Sequence, residues 1–573
     1  MSASKYIVAE DSGTSKWKLA LAFGGAAFLC AGIYYKFYAN SESTRDKKPP
    51  KKPSKTSGSS KAKNGTAKST VDDQTPLGIA MKHKSTGNSH FLNKRYTEAI
   101  ECYDAAIKAC PPEAAQDLAT FYQNKAAANE ALQNWPEVLS SCSSALELNP
   151  RYSKALTRRA RAAEALLDLD LALEDYTALC IIESFANQES LVLVDRILKE
   201  IGMAHAKEVF GVPRNQLPSK NHIKPYFNGF CSDPVFKEVL SEKEPADEEA
   251  EKHAVSNGYL RAVQHMREER YDQILECCSN ELANPLSPYR ARALLLRGSM
   301  YVLMLDRDNA KKDFNEIAAM ESVPSEFRTV ALAKLGSMEV AFNNSDEALV
   351  IYNRALNIDD KNPDVYHQRG QMFLMLSNID AAIENFNKVV ELAPDFAIGF
   401  IQKLHTDYRH ACYKHDLSEA KKVIAEFEKA RTRFPKCTEL YLLLAQIYID
   451  EEEYSKAEDQ FTTLLANEPE NPLGIVYRAM LQVQWKSDLD GAKKLIRKAL
   501  EVDPMCELAL ENLATIHVQT GNLQDGVELF NRAIPLAKSL QEAAHYCALR
   551  DAAVAQIKVV QRLGITLPSP SQF

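Results

Sequence analysis

This sequence predicts an all-α protein: a solenoid superhelix of antiparallel helix pairs in two blocks, behind one N-terminal transmembrane helix. Three observations predict it. Small residues recur twelve positions apart along most of the chain, often with proline a further twelve beyond. One apolar run without a charge lies near the N-terminus. And 573 residues are too many for a single hydrophobic core, so separate domains or a repeat array must divide them.

The composition narrows the class of function. Hydrophobic content of 45% and charge of 25% are ordinary for a folded protein, and a net charge of -8 argues against bulk nucleic-acid binding. The twelve cysteines are scattered singly apart from Cys277 and Cys278, and no CxxC occurs. That pattern fits buried thiols in a reducing compartment rather than a disulfide framework or a zinc site. His410, Cys412 and His415 lie close together, but their spacing fits no common metal site. No metal and no cofactor is expected.

Residues 1–18 are a short polar segment. Residues 19–35, LALAFGGAAFLCAGIYY, form the anchor, with Lys16 and Lys18 before it and Lys36 after it. Seventeen helical residues span about 25 Å, which suits a thin bilayer with lysines snorkelling at both ends. Glu10 and Asp11 upstream, and the lack of a small-residue cleavage site, argue against a signal peptide. Residues 36–78 form a basic linker, rich in Pro, Ser, Gly and Lys, that cannot pack a core and is expected to be disordered. Nine Lys/Arg residues fall between positions 41 and 75, which keeps this side of the anchor, and the bulk of the chain, in the cytosol.

From about Ala80 onward the chain reads as helical and repetitive. Gly87 pairs with Ala99 and Pro111, Gly370 with Ala382 and Pro394, and Ala445 with Ala457 and Pro469. Gly298 pairs with Ala310, Gly336 with Ala348, and Ala514 with Gly526. Small residues let two helices approach closely, and proline closes each unit. Helix-turn-helix units of 34 residues with this pattern are tetratricopeptide repeats, and at least nine can be placed. Three fill residues 79–186, at about 80–113, 119–152 and 153–186. Residues 187–255, with NQLPSKNHIKPYFNGFCSDPVF and then the acidic EKEPADEEAEKH, read as a connector loop with at most a short helix at its start. The second block covers 256–560, and 561–573 are a tail. Tyr301, Met304, Leu305, Phe373, Met375 and Leu376 are candidates for an apolar groove in that block, with packing between repeats as the commoner role for such residues.

Five polar residues stand out in the first block. Lys84 and Asn88 fall on the first helix of repeat one, Asn124 on that of repeat two, and Lys154 and Arg158 on that of repeat three. Residues four apart share a helix face. First helices line the inside of such a solenoid, so two ammonium groups, a guanidinium and two amides face one groove. That set matches a carboxylate pair, such as a chain-terminal carboxylate beside an Asp side chain.

KSTGN, FYQNKAAA and SKALTRRA, which carry these five residues, resemble the clamp motif of three-repeat co-chaperone domains. The resemblance implies that Lys84, Asn88, Asn124, Lys154 and Arg158 bind the Glu-Glu-Val-Asp tails of the seventy- and ninety-kilodalton heat-shock chaperones. YQNKAAANEAL, LNPRYSKALTRRARA and PSKNHIKPYF, and the layout of anchor, basic linker, clamp and longer repeat block, resemble the seventy-kilodalton receptor subunits of the mitochondrial outer-membrane translocase. Lys125 and Asn129 stand where that family has Arg and Tyr. The resemblance implies a single-pass protein of the mitochondrial outer membrane, with its N-terminus in the intermembrane space. It would dock chaperones, accept hydrophobic precursors such as inner-membrane carriers in the second block, and work with other translocase subunits. A tail-binding co-chaperone anchored at another membrane, such as the endoplasmic reticulum, is the alternative. An enzyme is not expected: no room remains for a catalytic domain, and no GxxxxGK[ST], GxSxG or HExxH occurs.

Overall fold

The computed structural model describes residues 74–241 and 258–565. The expected anchor at 19–35, the basic linker up to residue 73 and the acidic run after Ser241 lie outside the described residues. Among the described residues there are helices and no strands, and no helix is long and apolar enough to cross a membrane.

Three helical hairpins open the described chain: α1 (Pro76–Leu92) with α2 (Tyr96–Ala109), α3 (Ala115–Ala131) with α4 (Trp135–Leu148), and α5 (Ser153–Ala165) with α6 (Leu169–Ile182). Each turns through one left-handed residue, Lys94, Gln133 and Leu167, at φ 59°, 58° and 62°. A side chain there costs on the order of 1 kcal/mol, so packing of the paired helices must outweigh it. Asp168, next to Leu167, then caps α6 by accepting from the Leu171 N–H.

The small residues act as the repeat pattern requires, against a ring that the pattern did not name. A Cβ added to Gly87 would lie 2.7 Å from the Tyr103 ring, sixteen residues on. Gly298 meets Phe314 in the same way, Gly336 meets Tyr352, and Gly370 meets Phe386. All four rings are buried. Glycine on the first helix thus makes room for an aromatic side chain on the second. Each ring removed from water contributes about 1.5–3 kcal/mol.

The region expected to be a connector loop is mostly helical. α7 (Gln188–Val209) is followed by α8 (Lys220–Asn228) and α9 (Pro234–Leu240). Val194, Ile197, Leu198 and Ile201 are all buried, and their spacing of three, one and three is that of a helix face. Eight further hairpins follow, from Tyr259–Arg267 with Ile274–Leu282 to Glu507–Gln519 with Leu523–Ala533, and a last helix spans Leu540–Leu563.

The described chain divides into two compact units, and the division does not follow the linear order. The first holds residues up to Gly202 together with His517–Val527 and the chain from Cys547 onward; the second holds Met203–Ile516 and Glu528–Tyr546. Inside the first unit, the last helix lies against α6. Lys558 Nζ is 2.7 Å from Glu174, Arg562 Nη1 is 3.0 Å from Asp175, and Arg151 donates to the Leu563 carbonyl.

Inside the second unit, the stretch 214–235 is threaded onto the repeats. Arg214 donates to the Leu303 and Ala537 carbonyls, and Ser219 and Asn221 both donate to Asp503. The Cys231 and Ser232 N–H groups donate to Asp364. Lys334, fully buried, points its ammonium at the rings of Tyr226, Phe227 and Phe230 at 4.6, 4.9 and 4.0 Å, and lies 3.0 Å from Asp233. A polar segment that reads as loop in the sequence is therefore part of this unit's interior.

A candidate carboxylate clamp

Four of the five polar residues of the first block, Lys84, Asn88, Asn124 and Arg158, meet at α3. Asn124 Nδ2 lies 3.4 Å from Asn88 Oδ1, which joins the first helices of repeats one and two. The same Oδ1 accepts a 2.9 Å hydrogen bond from the Tyr103 hydroxyl. Burial pushes the Tyr103 phenol up to about 12, so it stays protonated and a donor at neutral pH. With Oδ1 engaged twice, Asn88 is left with its amide N–H groups as the free function.

Lys84 Nζ lies 5.7 Å from the centre of the Phe121 ring on α3. Phe121 is buried, so the Lys84 ammonium sits over a ring held in the core. Arg158, on α5, donates from Nε to Glu130 Oε2 on α3 at 2.5 Å. Lys154 is exposed one turn before Arg158. Thus Asn88 and Asn124 meet directly, Lys84 and Arg158 reach α3 through other side chains, and Lys154 is placed by its helix.

The neighbouring cation does a different job. Arg159 is buried and grips Asp175 through Nε and Nη2 at 2.7 and 2.8 Å, with Nη1 on Ser143. Lys125 turns away to pair with Asp104 at 2.8 Å, and Asn129 is buried, donating to the Lys125 carbonyl. Lys125 and Asn129 therefore serve the repeat's own structure.

Tyr103, Phe121 and Glu130 are parts of this site that the sequence reading did not single out. Tyr103 and Phe121 had a signal, since Tyr103 lies sixteen residues after Gly87 and Phe121 lies three before Asn124. Glu130 had none: its role depends on a distance between two helices.

The candidates in the second block fare unequally. Leu305 is buried, Tyr301 and Phe373 are partly buried against hydrophobic clusters, and the Met304 carbonyl accepts the Arg214 backbone N–H. Met375 and Leu376 are 55% and 53% exposed, which leaves these two free to meet a partner.

Comparison with known proteins finds tetratricopeptide repeats in the second block. Tetratricopeptide-repeat family models match residues 363–396, 414–474 and 486–540. The chain is 38% identical over 578 residues to the human mitochondrial import receptor subunit TOM70, covering 97% of this chain and 94% of that one. It is 26% identical over 188 residues to a wheat Hsp70-Hsp90 organizing protein, covering 33% of this chain and 31% of that one. A crystal structure of yeast Tom70 is similar with a TM-score of 0.46 at 24% identity, covering 84% of this chain and 97% of that chain.

Proposed function

The chain belongs to the TOM70 family of mitochondrial import receptor subunits, and from that premise we propose that it receives precursor proteins at the mitochondrial outer membrane. In this reading Lys84, Asn88, Asn124, Lys154 and Arg158 bind the Glu-Glu-Val-Asp tails of seventy- and ninety-kilodalton heat-shock chaperones. The second block then accepts the hydrophobic precursors that the chaperones deliver, and other translocase subunits take them onward. The apolar residues 19–35 anchor the chain once, with the N-terminus in the intermembrane space and the repeats in the cytosol.

The observation that carries the tail-binding role is the Asn124 to Asn88 hydrogen bond. It joins an amide of α1 to one of α3, the helix that Arg158 of α5 reaches through Glu130. In this reading a carboxylate lying against the pair meets the remaining N–H groups of both amides, and charge-assisted bonds of this kind are each worth about 1.5–3 kcal/mol. Association and desolvation offset much of that, so affinity of about a micromolar is expected. The wheat relative's name, Hsp70-Hsp90 organizing protein, supports the choice of partner.

Titration of a Glu-Glu-Val-Asp peptide into the purified full chain tests this. Arg158→Ala removes the guanidinium fork and should weaken binding by about tenfold or more, and added salt should weaken it further. Unchanged affinity in Arg158→Ala would remove the clamp. Residues 1–75 fused to a fluorescent protein should mark mitochondria, and a reticular pattern would instead place the chain at the endoplasmic reticulum.

A further inference from the structure

We infer that Glu130 is a positioning residue of the clamp: it aims the Arg158 guanidinium at the terminal carboxylate of the tail. The inference rests on the proposed tail-binding role of Arg158. Glu130 lies on α3, six residues beyond Asn124, and reaches across to α5. Its Oε2 accepts from Arg158 Nε at 2.5 Å, and its Oε1 is 3.5 Å from Arg161 Nη1. The Arg158 and Glu130 side chains are 20% and 22% exposed, so their pair is sheltered from full screening by solvent.

Two details favour aiming over competition. Glu130 engages Arg158 through Nε, and Nη2, which has no acceptor among the described residues and is not shut off from solvent, is left as the donor that a tail carboxylate can reach. An open donor on a guanidinium already fixed at Nε offers an arriving carboxylate a charge-assisted bond. Glu130 also has a second cation, Arg161, 3.5 Å from its Oε1, so its charge is shared between two partners. A guanidinium gripped at one end loses its rotamer freedom before the ligand arrives, which lowers the entropy lost on binding. Lys84 and Lys154 have no such carboxylate partner among the described residues, so orientation of the fork is specific to Arg158.

The test uses the full chain and two Glu-Glu-Val-Asp peptides, one with a free C-terminal carboxylate and one amidated there. The wild type should prefer the free acid, and Arg158→Ala should lose most of that preference. Glu130→Gln should weaken the free acid by about tenfold while leaving the amidated peptide nearly unchanged. A merely structural role would weaken both peptides alike, and that result would overturn the inference. So would unchanged or tighter binding of the free acid, the latter marking Glu130 as a competitor for Arg158. A wild type that binds neither peptide would instead overturn the tail-binding reading itself.

Discussion

Arg158 in the first unit and Lys334 in the second are both cations set among packed helices, and they differ in where their complement comes from. Lys334 is 0% exposed, has Asp233 at 3.0 Å and is caged by three rings from α8 and the turn after it. Arg158 is 20% exposed, with one carboxylate on Nε and a donor left unpaired among the described residues. A cation enclosed by its own chain fastens structure. One paired on a single side keeps donor capacity that its own helices do not use. Counting charges in the sequence does not separate the two.

Substitutions at the two cations should separate them cleanly. Lys334→Ala strands Asp233, 1% exposed, as a buried uncompensated charge, and should lower stability by about 3–5 kcal/mol. Urea unfolding measures this, and the tail-peptide affinity of the folded fraction should not change. Arg158→Ala should show the reverse, a large loss of peptide binding with little change in the unfolding midpoint.

Acid should also act on the second unit. His367 is fully buried, with Nε2 on Gln402 at 2.9 Å and its ring 5.0 Å from that of Phe396, and burial pushes its imidazole down to about 4. The unfolded chain takes up this proton below about 6.5 and the folded chain near 4, so the contribution to stability is present above 6.5 and lost as pH falls toward 4. The loss across that window is about 3 kcal/mol. His367→Gln should make the pH dependence of unfolding between pH 7 and 4.5 shallower by about one proton, with His405 and His222, also pushed down by burial, keeping the rest.

Glycine substitutions probe the same contrast through packing. Gly87→Ala and Gly336→Ala each drive a methyl into a buried ring and should cost about 1–3 kcal/mol. Tyr103, the ring facing Gly87, donates to Asn88, whereas the Tyr352 hydroxyl facing Gly336 has no partner among the described residues. Gly87→Ala should therefore weaken tail binding as well as stability, and Gly336→Ala stability alone. The smallest change belongs to Lys558→Ala, which removes a half-exposed pair with Glu174 and should shift stability by less than about 1 kcal/mol.

The repeat register was legible because periodic glycine, alanine and proline encode helix approach and helix ends directly. The groove residues were legible in register because spacing alone places Lys84 with Asn88 and Lys154 with Arg158. The helicity of 188–209 was carried by Val194, Ile197, Leu198 and Ile201, yet prolines and acidic residues farther along drew the region into a loop reading. The cage around Lys334 was illegible, since Tyr226, Phe227 and Phe230 meet it from more than a hundred residues away. Glu130 was illegible for the same reason on a smaller scale.

The last helix has a consequence for synthesis. Its Lys558 and Arg562 lie against Glu174 and Asp175 of α6, so the first compact unit includes residues made at opposite times. At about 5–20 residues per second, a ribosome that has finished α6 needs roughly 20–75 s more to reach Arg562. During that interval the newborn first repeats hold Asp175 on Arg159 alone and Glu174 without Lys558, and a truncating stop codon near the end would leave them so.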